Sequence, residues 1–291
     1  MTPRAFGRTG LAVSPLGLGA GELGDPALAE REVEALLRGA VEAGVTLIDS
    51  ARSYGASEER VGRYLAPVRD RVVLSTKVGY GVEGVPDWTG ECVRRGVDQA
   101  LARMATDRIE IVHLHSCPIE VLERGDVIAA LHEARGQGKL VAAAYSGDNE
   151  ALQWAAASGQ FDSLQLSWNL CDQRAAGVIA AAAAAGLGVI AKRPLANAPW
   201  RFAERPVGQD AETYWERWQA LAPPLPVPPD ELAARFAAHT PGVASAIVGT
   251  RRIENLRRNA ELVAHGALDA ATLAQLRARY LAVGAAWPSK I

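Results

Sequence analysis

An aspartate, a tyrosine, a lysine and a histidine follow one another through the first half of the chain. Asp49 and Tyr54 stand in IDSARSYG, Lys77 in LSTKVG and His115 in IEIVHLHSCP. Tyrosine alone is a poor acid–base group near neutrality, because its unperturbed pKa is about 10. A lysine ammonium a few ångströms away stabilises a phenolate. An aspartate paired with that lysine keeps it charged in a dry pocket. A histidine at the same mouth can donate a hydrogen bond to a carbonyl oxygen and orient it. Four such groups together protonate an oxygen as negative charge develops on it, which is what carbonyl reduction requires. Taken singly, Asp49 and Lys77 would suit a buried ion pair tying two strands together.

The spacing places these residues on elements that could bring them together. Asp49, Lys77 and His115 each close a short apolar run that reads as a strand (VTLID, VVLSTK, IEIVHLH), and Tyr54 sits in the loop after the first. Strand-like runs recur as SPLGLG, LVAAAYS, SLQLSW, LGVIA and VASAIV, with helix-like segments between them. One helix is expected from the Asp25-Pro26 cap, carrying Val33, Leu36, Leu37, Ala40 and Val41 on one face; another starts at Ser57. Further helices are expected around Val93–Met104, around Val127–Gly136, and at 149–158, 175–185, 230–238, 252–263 and 269–283. The β-then-α alternation predicts an α/β chain, a single (β/α)8 TIM barrel over 1–291. A short N-terminal β-hairpin turning at Gly10 and a C-terminal extra helix complete it. Catalytic residues in such barrels stand at the C-terminal strand ends, which selects His115 over the deeper His113. A doubly wound sheet would need a glycine fingerprint; Gly19-x-Gly21-x-x-Gly24 matches it only formally, since the next helix starts too late to meet a pyrophosphate. Residues 193–229, ending in APPLPVPP, show no periodicity. They are expected as a long loop on the catalytic face, either an insertion or a flap over a cofactor.

Composition narrows the function classes. A formal net charge of −2 with no basic stripe argues against nucleic-acid binding. Cys92, Cys117 and Cys171 form no C-x-x-C pair, which predicts neither a disulfide framework nor zinc. No signal-type segment opens the chain and the longest apolar stretch is too short to span a bilayer, so a soluble, cytoplasmic protein without membrane contact is expected. His113-x-His115 beside Asp49 could begin a metal site. The later strand runs end in Ser146, Trp168, Lys192 and Gly249, without a histidine, and no metal is expected. Gly249, Thr250 and Arg251 follow the last strand run and open a helix whose backbone N–H groups can receive a phosphate.

With these motifs in place the chain resembles the aldo-keto reductase family over nearly its whole length. RTGLAVSPLGLG, IDSARSYG, STKVG, IEIVHLHSCP, KLVAAAYSGDN, FDSLQLSWNLCDQ, GVIAKRPLAN and AIVGTRRIENLRRN are similar to its successive motifs. The resemblance implies an NADP-dependent oxidoreductase that interconverts an aldehyde or ketone and its alcohol. Tyr54 would be the general acid, Lys77 and Asp49 its tuning pair, and His115 the substrate orienter. It implies NADPH, with NAD possible, held across the barrel mouth by Gly19, Ser146, Gln165, Lys192, Arg193, Leu195, Gly249, Thr250, Arg251, Asn255 and Asn259. Asp148 or Asn149 would assist at the carboxamide. Arg251 and Arg252 could pair with an adenosine 2′-phosphate. Two departures stand out: Lys192-Arg193 where the family often has an aromatic that stacks on the nicotinamide, and Gly21 where many relatives have a bulky residue. Gly21, Trp88 and Trp287 are the expected substrate-pocket residues. A small aldehyde, ketone or sugar is the implied substrate, the chain being a monomer or small homo-oligomer. Oxidation of an aldose by the same residues, and a non-enzymatic NADPH-sensing subunit, are the alternatives.

Overall fold

In the computed structural model, which describes residues 1–290, the chain folds into a closed barrel of eight parallel strands ringed by helices. A two-stranded antiparallel hairpin precedes it, β1 (Arg4–Ala5) with β2 (Ala12–Val13). The barrel strands are β3 (Leu16–Gly19), β4 (Leu47–Asp49), β5 (Val73–Val78), β6 (Ile109–His115), β7 (Leu140–Ser146), β8 (Ser163–Ser167), β9 (Gly188–Lys192) and β10 (Ser245–Gly249). They pair in sequence order, and β10 closes on β3 with Gly249 opposite Gly19.

Side-chain alternation along each strand writes a polarity gradient into the barrel interior. Leu47, Val73, Ile111, Ala142, Ala144, Ile190 and Ile247 form an inner apolar cluster, sealed at the hairpin end by Phe6 and Val13. Two or four residues further along the same strand faces come Asp49, Ser75, Lys77, His113, His115, Ser146, Gln165 and Lys192. Register sets Asp49 opposite Ser75, Lys77 opposite His113, and Ser146 opposite both His115 and Gln165. A slip by one residue on any strand would turn its polar group out among the helices. A second, larger apolar core lies between the strands and the helices.

Those helices are α1 (Glu30–Glu42), α2 (Ser57–Leu65), α3 (Gly90–Arg103), α4 (Ile119–Arg124), α5 (Asp126–Gly136), α6 (Asn149–Ala157), α7 (Ala176–Ala184), α8 (Glu212–Leu221), α9 (Pro229–Ala238), α10 (Ile253–Ala264) and α11 (Ala270–Val283). Two expectations are corrected. The first helix does not begin at the Asp25-Pro26 cap: the Asp25 carboxylate accepts from the Ala27 N–H in a tight turn, and α1 starts later, with Glu32 reaching back to the Ala29 N–H. Residues 193–229 are not loop throughout: α8 lies inside them, burying Tyr214, Trp218 and Leu221 at helical spacing, with a short 3-10 turn at Pro199–Arg201 ahead of it. The flanking prolines hide this period from a sequence scan. Among the described residues no helix is long and apolar enough to cross a membrane.

Candidate active site

Asp49, at the end of β4, and Lys77, on β5, are both buried. The Lys77 Nζ donates to Asp49 Oδ2 at 2.6 Å and to the Ser50 carbonyl at 2.7 Å. It also lies 4.9 Å from the centroid of the Tyr54 ring. Burial by itself pushes the Asp49 carboxyl up, but the Lys77 ammonium and the Ser75 hydroxyl outweigh it and hold it below its ordinary value. Burial likewise pushes Lys77 down, and Asp49 and Tyr54 more than restore it. The pair is therefore a charged one. The other Asp49 oxygen accepts from Ser75 Oγ at 2.7 Å and from Gln165 Nε2 at 2.9 Å. Since the Ser75 hydroxyl donates to Asp49, its oxygen is left to accept from His113 Nε2, 3.1 Å away.

Tyr54 is set by the loop between β4 and α2. Its carbonyl accepts from the Ser57 N–H, and the Ser57 hydroxyl donates to the Ala20 carbonyl, joining this loop to the one after β3. The two loops cross in backbone contact. A Cβ on Gly24 would lie 1.7 Å from the Tyr54 carbonyl oxygen, and one on Gly55, whose φ is +50°, would lie 2.4 Å from the Gly24 carbonyl oxygen. Gly21 faces the Tyr54 ring, where a Cβ would sit 3.7 Å away. The ring of His115 meets that of Tyr54 edge-on at 6.0 Å. Burial, reinforced by the charges of Lys77 and Lys192, takes His115 down to about 3. Burial does the same to His113, down to about 3. Both imidazoles are neutral at ordinary pH.

Asp49, Tyr54, Lys77 and His115 all face a cleft of about 1250 Å³ at the C-terminal mouth of the barrel, and the deeper His113 does not. Gly19, Gly21, Ser146, Gln165, Lys192, Arg193, Leu195, Gly249, Thr250, Arg251, Asn255 and Asn259 line it as well. Its donor set fits an extended dinucleotide. At one end the Ser146 hydroxyl donates to Gln165 Oε1 at 2.9 Å, an amide-and-hydroxyl pair suited to a carboxamide. At the other, Gly19 and Gly249 leave the strand ends bare, and a Cβ at Gly249 would meet nothing closer than 3.9 Å. There α10 begins with no side chain capping its first turn, so its N–H groups are available to a phosphate.

Several expected contacts take other partners. Lys192 pairs with Asp148 at 2.9 Å, and burial, only partly offset by Asp148, lowers its pKa. Arg193 lines the cleft, but its Nη1 donates to Ser167 Oγ and to the Lys290 carbonyl, so it secures the C-terminal tail instead of standing free for a pyrophosphate. Asn149 serves the same tail, exchanging two hydrogen bonds with the Ser289 backbone. Arg251 is held by Glu22 at 2.6 Å and Asp25 at 2.7 Å. Trp88 and Trp287 do not line the cleft: Trp88 packs on Tyr80, and Trp287 packs on Tyr280 beneath the Arg217 guanidinium. Tyr80, Ser75 and the partnering role of His113 went unread in the sequence. Ser75 and His113 were within reach of the strand alternation that selected Lys77 and His115. Tyr80 carried no periodic signal.

A model of the Aldo/keto reductase family matches residues 15–280. D-threo-aldose 1-dehydrogenase of a Pseudomonas species is 28% identical, over 90% of this chain and 93% of its own. L-galactose dehydrogenase of Arabidopsis thaliana is 34% identical over 145 residues, so the match spans about half of either protein, 47% and 45%. A solved structure from Pseudomonas aeruginosa assigned to the aldo-keto reductases superposes with a TM-score of 0.73 at 33% identity, covering 90% of this chain and 95% of that one. The holo form of an aldo-keto reductase from Bacillus halodurans superposes with a TM-score of 0.84 at 22% identity, over 98% and 97% of the two chains, a likeness of fold.

Proposed function

Because the chain belongs to the aldo/keto reductase family, and is thus an oxidoreductase acting on carbonyls or alcohols, we propose that it works with NADP(H) in preference to NAD(H) and moves the proton through Tyr54. The observation that carries this reading is the Asp49–Lys77–Tyr54–His115 group at the inner wall of a cleft whose far end is a bare helix N-terminus. The nicotinamide, when bound, supplies or accepts the hydride. Ser146 and Gln165 would hold its carboxamide, and Gly249, Thr250 and the first turn of α10 its phosphates. In the reductive direction His115 orients the substrate carbonyl oxygen by a hydrogen bond and Tyr54 delivers its hydroxyl proton to that oxygen. Lys77 stabilises the phenolate left behind, and Asp49 keeps Lys77 protonated. In the oxidative direction the phenolate takes the alcohol proton. Gln165 donates to Asp49 and so ties the carboxamide end to the acid–base end.

The test is an absorbance screen of aldehydes, ketones and aldoses with both cofactors in both directions; no turnover with any of them would overturn the reading. Aldose oxidation is the second reading. It is favoured by the polar mouth, where Ser116 lines the cleft and Gly21 carries no side chain beside the Tyr54 ring. Two of the relatives are named as sugar dehydrogenases.

The NADP preference rests on Arg251 and Arg252 at the start of α10. Arg251→Ala is expected to weaken NADPH by about tenfold, the worth of one charge-assisted hydrogen bond, and NADH hardly at all. Glu22 and Asp25 compete for the same guanidinium, so Glu22→Gln should tighten NADPH; fluorescence titration of both cofactors checks both changes. Equal losses for the two cofactors in Arg251→Ala would remove the 2′-phosphate role. The neutral state of His115 gives a further expectation: kcat/KM should show no histidine limb near a pH of about 6.5.

A further inference from the structure

The loop after β5 places an aromatic directly behind the substrate-orienting imidazole. Tyr80 Oη lies 2.8 Å from His115 Nδ1 and 3.2 Å from Ser53 Oγ. The Tyr80 ring stacks on the imidazole with centroids 5.6 Å apart and planes 24° apart, and Trp88 packs against it with centroids 5.5 Å apart at a tilt of 57°. Backbone geometry supports the stack. Gly79 has φ +132°, and a Cβ there would lie 2.2 Å from the Trp88 ring, so only glycine lets the indole close on Tyr80. The Trp88 N–H then donates to the Gly79 carbonyl at 2.7 Å.

We propose that Tyr80 is a positioning residue that fixes the tautomer of His115, donating its hydroxyl to Nδ1 so that Nε2 carries the hydrogen offered to the substrate. This rests on the reading of His115 as the orienter of the carbonyl oxygen. A neutral imidazole has one donor and one acceptor nitrogen, and only the tautomer with hydrogen on Nε2 can donate into the cleft while Nδ1 faces Tyr80. The pair has two hydrogen-bond senses. A phenol is a far stronger donor than a neutral imidazole N–H, and an imidazole nitrogen a far stronger acceptor than a phenol oxygen. The sense with Tyr80 donating is therefore favoured. The Tyr80 hydroxyl has a single hydrogen: spent on Nδ1, at 2.8 Å, it leaves Tyr80 Oη to accept from the Ser53 hydroxyl at 3.2 Å, whereas turned toward Ser53 it would leave the hydrogen on Nδ1. Contact with His115 on one hand and Trp88 on the other restrains the phenol ring. His113 does not compete for this role, since its Nε2 faces Ser75.

Tyr80→Phe keeps the stacked ring and removes only the hydroxyl. In protein labelled with 15N-histidine, long-range 1H–15N correlation reads which ring nitrogen carries hydrogen; a His115→Asn sample identifies the His115 signals among the five histidines. The wild type is expected to show His115 as the Nε2–H tautomer alone, and Tyr80→Phe a mixture of tautomers. With NADPH and 4-nitrobenzaldehyde as the carbonyl probe, Tyr80→Phe should lose about tenfold in kcat/KM, the worth of one neutral hydrogen bond, with NADPH affinity unchanged. A wild-type His115 protonated on Nδ1, or a tautomer unmoved by Tyr80→Phe, would overturn the proposal. If the tautomer shifts as expected while His115→Asn retains full turnover, Tyr80 still sets the tautomer, and it is the orienting role of His115 that fails.

Discussion

Tyr54→Phe is expected to bind NADPH within about twofold of the wild type and to lower kcat by about 10² to 10⁴, the usual worth of a positioned general acid. The two halves of this expectation have separate structural grounds. In the proposed site the cofactor would be held by Gly249, Thr250, the first turn of α10 and the Ser146–Gln165 pair, and the phenol hydroxyl makes no hydrogen bond with any of them. Phenylalanine also preserves the ring that Lys77 and His115 pack against. What disappears is the one hydroxyl placed to exchange a proton beside a buried, charged lysine. Stopped-flow measurement of the first turnover, together with a fluorescence titration of NADPH, separates the chemical step from binding. A variant that retains most of its first-turnover rate would remove Tyr54 from the mechanism.

Acid should weaken this fold by about 2 kcal/mol between about pH 7 and pH 5, before most of its carboxylates titrate. His113 and His115 are held neutral in the fold, down to about 3 each. In the unfolded chain both take up a proton near a pH of about 6.5. The unfolded state therefore binds more protons below that point, and stability falls as the pH is lowered toward the folded values. His113 is fully enclosed and contributes a loss of about 2 kcal/mol between about pH 7 and pH 5; His115, which opens on the cleft, contributes less. Asp172 works in the opposite sense. Burial pushes it up to about 6, so it takes up a proton in the fold first and returns about 1 kcal/mol over the same range. The net loss is about 2 kcal/mol, a sizeable part of an ordinary domain's stability. Urea midpoints measured across this range check it. His113→Gln, which lacks the titrating ring, should remove most of the net slope, leaving His115 and Asp172 to offset one another, even though its stability at neutral pH is lower. A slope unchanged by that variant would show that the lost stability comes from elsewhere.

The barrel and three of its four central residues were legible because they obey short periods, and Tyr54 was legible from its place in the loop five residues after Asp49. The apolar runs of β4, β5 and β6 put Asp49, Lys77 and His115 at strand ends, while Ser146 and Gln165 entered through the family resemblance. Less legible was anything decided by a contact between distant loops. Asp25 reads as a helix cap, yet its carboxylate is used by Ala27 and Arg251. Arg193 reads as a phosphate ligand, yet the C-terminal tail lies across its guanidinium at Lys290. α8 carries its own apolar stripe, and the prolines on either side of it obscure the period. Tyr80 is found only when the loop after β5 is seen to fold back over His115.

The crossing of the loops at Gly24 and Gly55 also constrains how this mouth can diversify. Neither position admits a first mutational step, because any side chain at Gly24 strikes the Tyr54 carbonyl and Gly55 abuts the Gly24 carbonyl. The turn that carries Glu22 and Asp25 toward Arg251 is thereby yoked to the turn that carries the phenol. Lineages descended from this chain would inherit the proposed adenosine contact at Arg251 and the placement of the Tyr54 phenol as one unit. Novelty in what is reduced or oxidised would then arise at Gly21, where a Cβ would meet the Tyr54 ring only at 3.7 Å, and in the loop after β9 that lines the cleft.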